Sequence, residues 1–317
     1  MKTYWLVVLF ILAAACEKER QPEREPAAKS SAVLVVLGTV QDGGSPHIAC
    51  TKECCRPLFT NPDIKRQVVS LGVIDYENEK SYLFEATPDF PRQLKALRRH
   101  ATFSAKETPD GIFLTHAHIG HYSGLMYLGR EAMGADSVPV YAMPRMKAFL
   151  EKNGPWGQLV RLGNITIFPL EAGRTEKLTP KLSVTPFIVP HRDEYSETVG
   201  FTIRGPHKKA LFIPDIDKWE KWPTAIADAL RDVDYAFVDA TFFDGEEINH
   251  RDISEIPHPF VIESMALFKK LSAAEKNKVY FIHFNHTNPL LREQSKQRQA
   301  VVSAGFHIAA PGQVFPF

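Results

Sequence analysis

The chain has 317 residues, 44% of them hydrophobic and 24% charged, which is ample apolar material for a packed core of one large domain or two small ones. With 38 basic against 37 acidic residues the formal charge is +1, and nothing in this balance points to a nucleic-acid partner or a broad anionic surface. A small-molecule partner is expected.

The first residues form a unit of their own. Lys2 precedes an apolar run from Tyr4 to Ala15 that ends in small residues and then Cys16, the order of a secretory signal and too short for a span of about 20 residues. The stretch Leu12-Ala13-Ala14-Ala15-Cys16 resembles a bacterial lipoprotein cleavage box, with Ala13 where such boxes most often carry leucine. The expectation is a signal peptide over 1–15, a lipidated Cys16 and a tether over 16–30. That places the protein extracytoplasmically, as a lipoprotein held to a membrane. Residues Glu17 to Ser30 are charged, contain proline and show no apolar period, so they cannot bury enough surface to fold.

The folded body is expected over 31–317. The run AVLVVLG from Ala32 to Gly38 predicts a buried strand feeding the loop Asp42-Gly43-Gly44-Ser45-Pro46. Further strands are predicted at Val68 to Asp75, Tyr82 to Ala86, Gly111 to Thr115, Val138 to Met143, Ile165 to Leu170, Leu182 to Val189, Val199 to Arg204, Ala210 to Pro214, Tyr235 to Ala240 and Val279 to His283. Helices are predicted at Pro91 to Arg99, Gly120 to Gly134, Pro144 to Asn153, Pro223 to Arg231, Pro259 to Leu271 and Pro289 to Ala304, several with proline in the first turn. No Pro/Gly-rich linker divides them, so one α/β domain with sheets inside and helices outside is the reading.

The strongest chemical signal is Leu114-Thr115-His116-Ala117-His118-Ile119-Gly120-His121, where an apolar strand gives way to a helix. In extended backbone His116 and His118 point to one side, and His121 on the following turn can reach an adjacent position. One loop can thus supply imidazoles, the commonest nitrogen ligands of zinc, to one or two ions.

This loop resembles that of the metallo-β-lactamase superfamily, which reads His-x-His-x-Asp-His after a strand. The resemblance implies an αββα sandwich, two mixed sheets with helices on the outer faces, and further ligands at later strand ends. Here His191 closes LSVTPFIVPH, Asp215 closes ALFIPD and His283 closes VYFIH. By resemblance His116, His118 and His191 hold a first ion, and His121, Asp215 and His283 a second, with Asp215 bridging. The family's aspartate is Gly120 in this chain, so the second site lacks a carboxylate. Asp193 or Glu194 is a substitute, or the chain works with one ion; if the second site is merely weakened, Gly120→Asp is expected to raise its occupancy.

A narrower resemblance concerns GTVQDGGSPHIAC with Cys50, Cys54 and Cys55, then Asp239-Ala240-Thr241-Phe242, and finally FIHFNHTNPLL. These look like the pyrroloquinoline quinone biosynthesis B family. Related phosphodiesterases of the carbon-phosphorus lyase pathway share a Gly-rich opening with three cysteines and a histidine three residues after the last catalytic one, here His286. Their structural zinc implies the ligands Cys50, Cys54, Cys55 and His286, with His47 a competing fourth ligand. The spacing departs from the relatives' Cys-x-Cys-x2-Cys. If Cys16 carries lipid, a disulfide would strand one of the three remaining thiols, whereas a zinc site would use all of them; buried or disulfide-linked cysteines are the alternative.

The expected function is therefore a metal-dependent hydrolase acting on a phosphodiester, ester or related bond. Zinc is the expected metal, one or two ions at the active site, with iron or manganese as substitutes. Asp215 bridges or orients the nucleophile and Asp193 handles the proton. Two alternatives stand beside it: an iron-dependent oxygenase related to quinone cofactor biosynthesis, and an inactive lipid-anchored binding protein. His100, His207 and His307 are expected at the surface. His250 and His258 lie in a polar, proline-containing loop that either overhangs the site or is simply exposed.

Overall fold

The computed structural model describes Met1 and residues 30–248 and 256–317. The predicted signal segment, Cys16, most of the tether and His250 lie outside the described residues.

Among the described residues fourteen strands form two sheets. The first half of the chain supplies β1 (Ala32–Gly38), β2 (Ser70–Asp75), β3 (Lys80–Phe84), β4 (Gly111–Phe113), β5 (Val138–Ala142) and β6 (Ile165–Pro169). The second supplies β7 (Glu176–Lys177), β8 (Ser183–Ile188), β9 (Val199–Arg204), β10 (Lys209–Ile213), β11 (Tyr235–Asp239), β12 (Val279–Ile282), β13 (His307–Ile308) and β14 (Val314–Pro316). One sheet runs β14-β1-β2-β3-β4-β5-β6 and the other β13-β12-β11-β10-β9-β8-β7. In each, antiparallel neighbours give way to parallel ones, at β3–β4 and at β10–β11.

The sheets are mixed because the early strands of each half return antiparallel, β1 to β2 through the long loop over 39–69, whereas helical crossovers join the later ones. The helices are α1 (Phe90–His100), α2 (Ile119–Tyr122), α3 (Pro144–Lys152), α4 (Trp156–Arg161), α5 (Ile226–Arg231), α6 (Val261–Leu267), α7 (Ala273–Lys276) and α8 (Lys296–Ser303). Residues of both sheets, among them Leu34, Phe84, Phe113, Phe201, Phe212 and Phe237, form the apolar layer between them. A second layer packs α1, α3 and α4 on the first sheet, and a third packs α5, α6 and α8 on the other. This is the αββα sandwich expected from the sequence.

The predicted strands sit within one or two residues of the observed ones, but several predicted helices are shorter or divided, Pro223 to Arg231 beginning only at Ile226. Gly120 to Gly134 becomes α2 followed by a 3-10 turn over Ser123–Leu128. Here the backbone bonds sideways to the end of β3, with Ala86 N donating to His121 O at 2.9 Å and Gly124 N to Ala86 O at 2.8 Å. The close approach needs glycine, since a Cβ on Gly124 would sit 2.6 Å from Phe90 Cβ. Pro289 to Ala304 divides because Ser295 caps a new helix, its Oγ accepting from Arg298 N at 3.1 Å. Pro259 to Leu271 narrows to α6, whose entry Glu263 fixes by accepting from Phe260 N at 2.8 Å. The short elements α4, α7, β7, β13 and β14 were absent from the sequence reading.

Phe84 lies at the centre of the inter-sheet layer, its ring 5.0 Å from Phe113, 5.5 Å from Phe201 and 6.2 Å from Phe212. Truncation there leaves a cavity that two opposed sheets cannot close. Phe84→Ala is expected to destabilise the fold by about 3–5 kcal/mol in denaturant titration; a loss below about 1 kcal/mol would show that the sheets are not held by this layer.

Candidate metal centre

The candidate ligands stand on the loops leaving strand C-termini. His116 follows β4, His191 follows β8, Asp215 follows β10, Asp239 ends β11 and His283 follows β12. Parallel strands place these ends side by side, so residues far apart in sequence meet at one edge. The sheets are joined there, Val199 N donating to Thr115 O at 3.2 Å.

Asp215 is the hub. Its Oδ2 lies 3.2 Å from His191 Nε2, 3.5 Å from His116 Nε2, 3.8 Å from His121 Nε2 and 4.0 Å from His283 Nε2. His118 enters through Nδ1, 3.2 Å from His191 Nε2. Ligands held at 2.0–2.1 Å on a tetrahedron stand about 3.3 Å from one another, so His116, His118, His191 and Asp215 have the spacing of one ion's shell. His121 and His283 face the same carboxylate from the other side.

The far side of each ring is held. Thr115 Oγ1 lies 2.9 Å from His116 Nδ1, Asp217 Oδ1 3.2 Å from His191 Nδ1, and Thr241 Oγ1 2.8 Å from His283 Nδ1. Glu85 Oε2 is 3.5 Å from His121 Nδ1, with both groups fully buried. Such partners fix ring orientation and leave Nε2 as the ligating atom. Buried yet without a hydrogen-bond partner at the centre, among the described residues, are His116 Nε2, both ring nitrogens of His121, His283 Nε2, Asp215 Oδ1 and both Glu85 carboxylate oxygens. Buried polar atoms are almost always paired, so an inward-facing set of orphans fits a bound cation.

Charge supports the same reading. Burial holds His116 well below the usual histidine range. Burial would do the same to His121, but Glu85, Asp42 and Asp215 around it raise its pKa instead. Burial opposes charge on Asp215 too, yet His191, His258 and His116 keep it well below the usual carboxylate range. The backbone is strained at two of these positions, His283 having φ +68° and Glu85 φ +75°. A non-glycine residue in that region costs about 1–3 kcal/mol and persists where packing dictates it.

Three residues join the centre that the ligand expectations did not include. His258 Nδ1 lies 2.9 Å from Asp239 Oδ2 and 3.2 Å from Asp215 Oδ1, while Glu85 backs His121. Asp215, Asp239, His258 and His283 form a second group with metal-binding spacing. The motif Asp239-Ala240-Thr241-Phe242 was visible in the sequence; its link to His258 was not, because 18 residues separate them.

Asp193, expected to handle the proton, is not brought to the cluster. It is exposed and pairs with Arg145 at 3.3 Å, because the loop after His191 turns outward over α3. Glu194 Oε2 comes to 3.5 Å from His118 Nε2 but is half exposed. His207 is exposed, and His307 bonds Asn277 at 2.8 Å, away from the site.

At the cysteine cluster, Cys50, Cys55 and His286 have metal-binding spacing, and Cys54 Sγ lies 3.7 Å from Cys50 Sγ and 4.0 Å from Cys55 Sγ. Sulfurs on one tetrahedral zinc stand about 3.8 Å apart, whereas a disulfide requires about 2.05 Å. Burial pushes the Cys54 thiol up to about 12 and His286 down to about 4, keeping that imidazole neutral and able to ligate. His47 stacks on His286 with ring centres 4.6 Å apart.

Two mixed sheets with a histidine and aspartate cluster at their shared edge define the beta-lactamase superfamily domain, and residues 80–284 match that family. The chain belongs to it. Among its relatives, Coenzyme PQQ synthesis protein B of Methylorubrum extorquens (strain PA1) is 25% identical over 310 residues, covering 88% of this chain and 98% of that protein. The protein of the same name from Bradyrhizobium diazoefficiens is 26% identical, covering 88% and 97%. Among solved structures, Zn(2+)-bound PqqB from Methylobacterium extorquens matches with a TM-score of 0.72 at 22% identity, covering 90% of this chain and 100% of that one. A diphosphatase from the PhnP family matches with a TM-score of 0.62 at 24% identity, covering 90% and 97%. Both likenesses establish a shared fold.

Gly120 is tightly enclosed. A Cβ there would overlap Asp42 Cβ and stand 2.5 Å from Asp42 Cα and 3.0 Å from its carbonyl oxygen. The sequence-based expectation that Gly120→Asp restores a ligand is corrected by this contact, because backbone has to move before the side chain fits. Gly120→Asp is expected to destabilise the fold by about 1–3 kcal/mol, the usual cost of overpacking, with no gain in bound metal; unchanged thermal melting with extra metal would reverse that conclusion.

Proposed function

We propose that this chain is a metal-dependent hydrolase with His116, His118, His191 and Asp215 around one ion and Asp215, His121 and His283 around a second. The observation that carries the reading is the convergence of four imidazole Nε2 atoms on Asp215 Oδ2 within 4.0 Å, each ring backed at Nδ1. A divalent ion in such a shell supplies Lewis acidity and lowers the pKa of water to about 7, enough for attack on an ester or phosphoester at neutral pH. The chain's own groups do the rest. Asp215 orients the ligands, and the Asp239–His258 pair takes the proton-handling role that Asp193 is too far out to fill. Asp239 fixes the His258 ring through Nδ1, leaving Nε2 as the nitrogen that passes a proton to a leaving group.

Next to the cysteine cluster lies a cavity of about 480 Å³ lined by His47, Cys50, His286, Phe242, Glu247 and Thr287 among others. Phe242 connects it to the centre, its ring 6.2 Å from His258. Burial raises Glu247 to about 7, and the lining is mostly polar, with Phe242, Ile248 and Ile256 as its apolar part, which suits a small polar organic substrate. The cysteine cluster is proposed to hold a structural zinc through Cys50, Cys54, Cys55 and His286.

Elemental analysis and turnover test the reading together. His118→Ala is expected to lower bound metal and abolish hydrolysis across phosphodiester, ester, lactone and β-lactam substrates, Cys55→Ser to lose a zinc of the cysteine cluster, and the exposed His207→Ala to do neither. Iron in the purified protein with consumption of oxygen would instead favour an oxygenase, the reading that the similarity to PQQ synthesis proteins keeps open. Wild-type metal content in His118→Ala would remove the proposed centre altogether.

Lipid anchoring through Cys16 rests on the order of apolar run, small residues and cysteine. Mass spectrometry of the mature N-terminus is expected to find lipid on Cys16 and an unprocessed chain in Cys16→Ser; a soluble form starting elsewhere in both proteins would refute it.

A further inference from the structure

Resting on the metal centre proposed above, we infer that Asn288 is a positioning residue for that centre: its side-chain amide holds the turn Asp239-Ala240-Thr241 and, through it, the rings of His283 and His258.

Asn288 is buried, and its side chain hydrogen-bonds only to backbone among the described residues. An asparagine before a 3-10 turn has an ordinary role, which is to cap it through the side-chain oxygen. Oδ1 does this here, accepting from Leu290 N at 2.9 Å. Aspartate or serine would cap as well, so the cap does not account for the amide. The amide nitrogen instead reaches across to the end of β11, donating to Ala240 O at 2.8 Å and to Thr241 O at 3.2 Å. Thr241 O also accepts from Asn285 N at 2.9 Å, and Asn288 N donates to Asn285 O at 2.9 Å. The segment after His283 and the turn after β11 are thereby closed on each other.

The turn so held carries much of the polar support of the centre. Thr241 N and Thr241 Oγ1 both donate to Asp239 Oδ1, at 2.8 and 2.6 Å. A hydroxyl has one proton to give, so towards His283 Nδ1 at 2.8 Å the same oxygen can only accept. His283 then carries its proton on Nδ1 and presents a bare Nε2 to Asp215. The other oxygen of Asp239 lies 2.9 Å from His258 Nδ1 and accepts from Ile216 N, next to Asp215, at 3.1 Å. Ala240 and Thr241 are buried, so without the amide their carbonyls have no water to turn to and the turn has to move to find donors. Any such movement carries the threonine hydroxyl and the aspartate away from the two rings they fix.

Two variants separate the amide from the cap: Asn288→Asp keeps the shape and the capping oxygen without an amide proton, and Asn288→Ser keeps a capping oxygen without a charge. The test titrates the metal-depleted full chain with Co²⁺ and follows its visible absorption, beside Zn²⁺ binding against a competing chelator and thermal melts of the metal-free forms. Both variants are expected to bind one active-site equivalent about 10- to 100-fold more weakly than wild type, the loss that follows removal of an outer partner of a ligand. The Co²⁺ spectrum of that equivalent is expected to change, while the equivalent held by His116, His118 and His191 keeps its affinity and spectrum. Wild-type affinity and spectrum in both variants, with metal lost in His118→Ala, overturns the role of Asn288 and leaves the centre standing. Wild-type metal in His118→Ala overturns the centre and the inference with it. A lowered metal-free melt in Asn288→Ser with every equivalent weakened alike makes Asn288 a residue of the fold alone and overturns the inference.

Discussion

The structure is organised around one buried carboxylate. Asp215 has imidazole nitrogens of His116, His121, His191 and His283 within 4.0 Å of one oxygen and His258 within 3.2 Å of the other. Five imidazoles so placed cannot all carry protons, since like charges at these separations repel strongly away from water. Nor can they all stay neutral without leaving inward-facing nitrogens unpaired, a cost of about 1–3 kcal/mol each. A cation bound between them resolves both demands, and the strand ends that deliver these residues make sense as its scaffold.

Precision in such a site comes from what stands behind the ligands. Thr115, Asp217, Thr241 and Glu85 each hold the rear of one ring, and each comes from a different loop. Two residues of this shell, Glu85 and His283, are kept in left-handed backbone, and both are fully buried. Strain of that kind survives only when surrounding packing leaves the chain no alternative. The inter-sheet aromatic layer beneath the site supplies that rigidity.

Much of this arrangement was legible in the sequence, for a physical reason. The strand Ala32–Gly38 is buried on both faces over nearly its whole length and reads as a continuous apolar run, so its limits were found to the residue. His191, Asp215 and His283 were placed because the resemblance calls for ligands at strand ends and each closes a predicted strand. What escaped depends on tertiary contact. The predicted helix after Gly120 gives out because its backbone bonds to Ala86, which no local pattern announces. Asp193 stood next to a ligand in sequence yet turns to Arg145 in space. His258 had no adjacent motif, and its partner Asp239 comes from a neighbouring strand end.

The division of strands between the halves of the chain has its own consequence. Residues up to β6 build one sheet and contribute His116, His118 and His121; residues from β7 onward build the other and contribute His191, Asp215 and His283. The group His116, His118, His191 and Asp215 draws on both halves, whereas Asp215, Asp239, His258 and His283 all come from the second. The final strand, β14, crosses back to pair with β1, so the polypeptide stitches its two leaves together at one margin. Coordination would fasten them at another. An ion held by the group that draws on both halves would act as a clasp, linking its own occupancy to the docking of the two leaves.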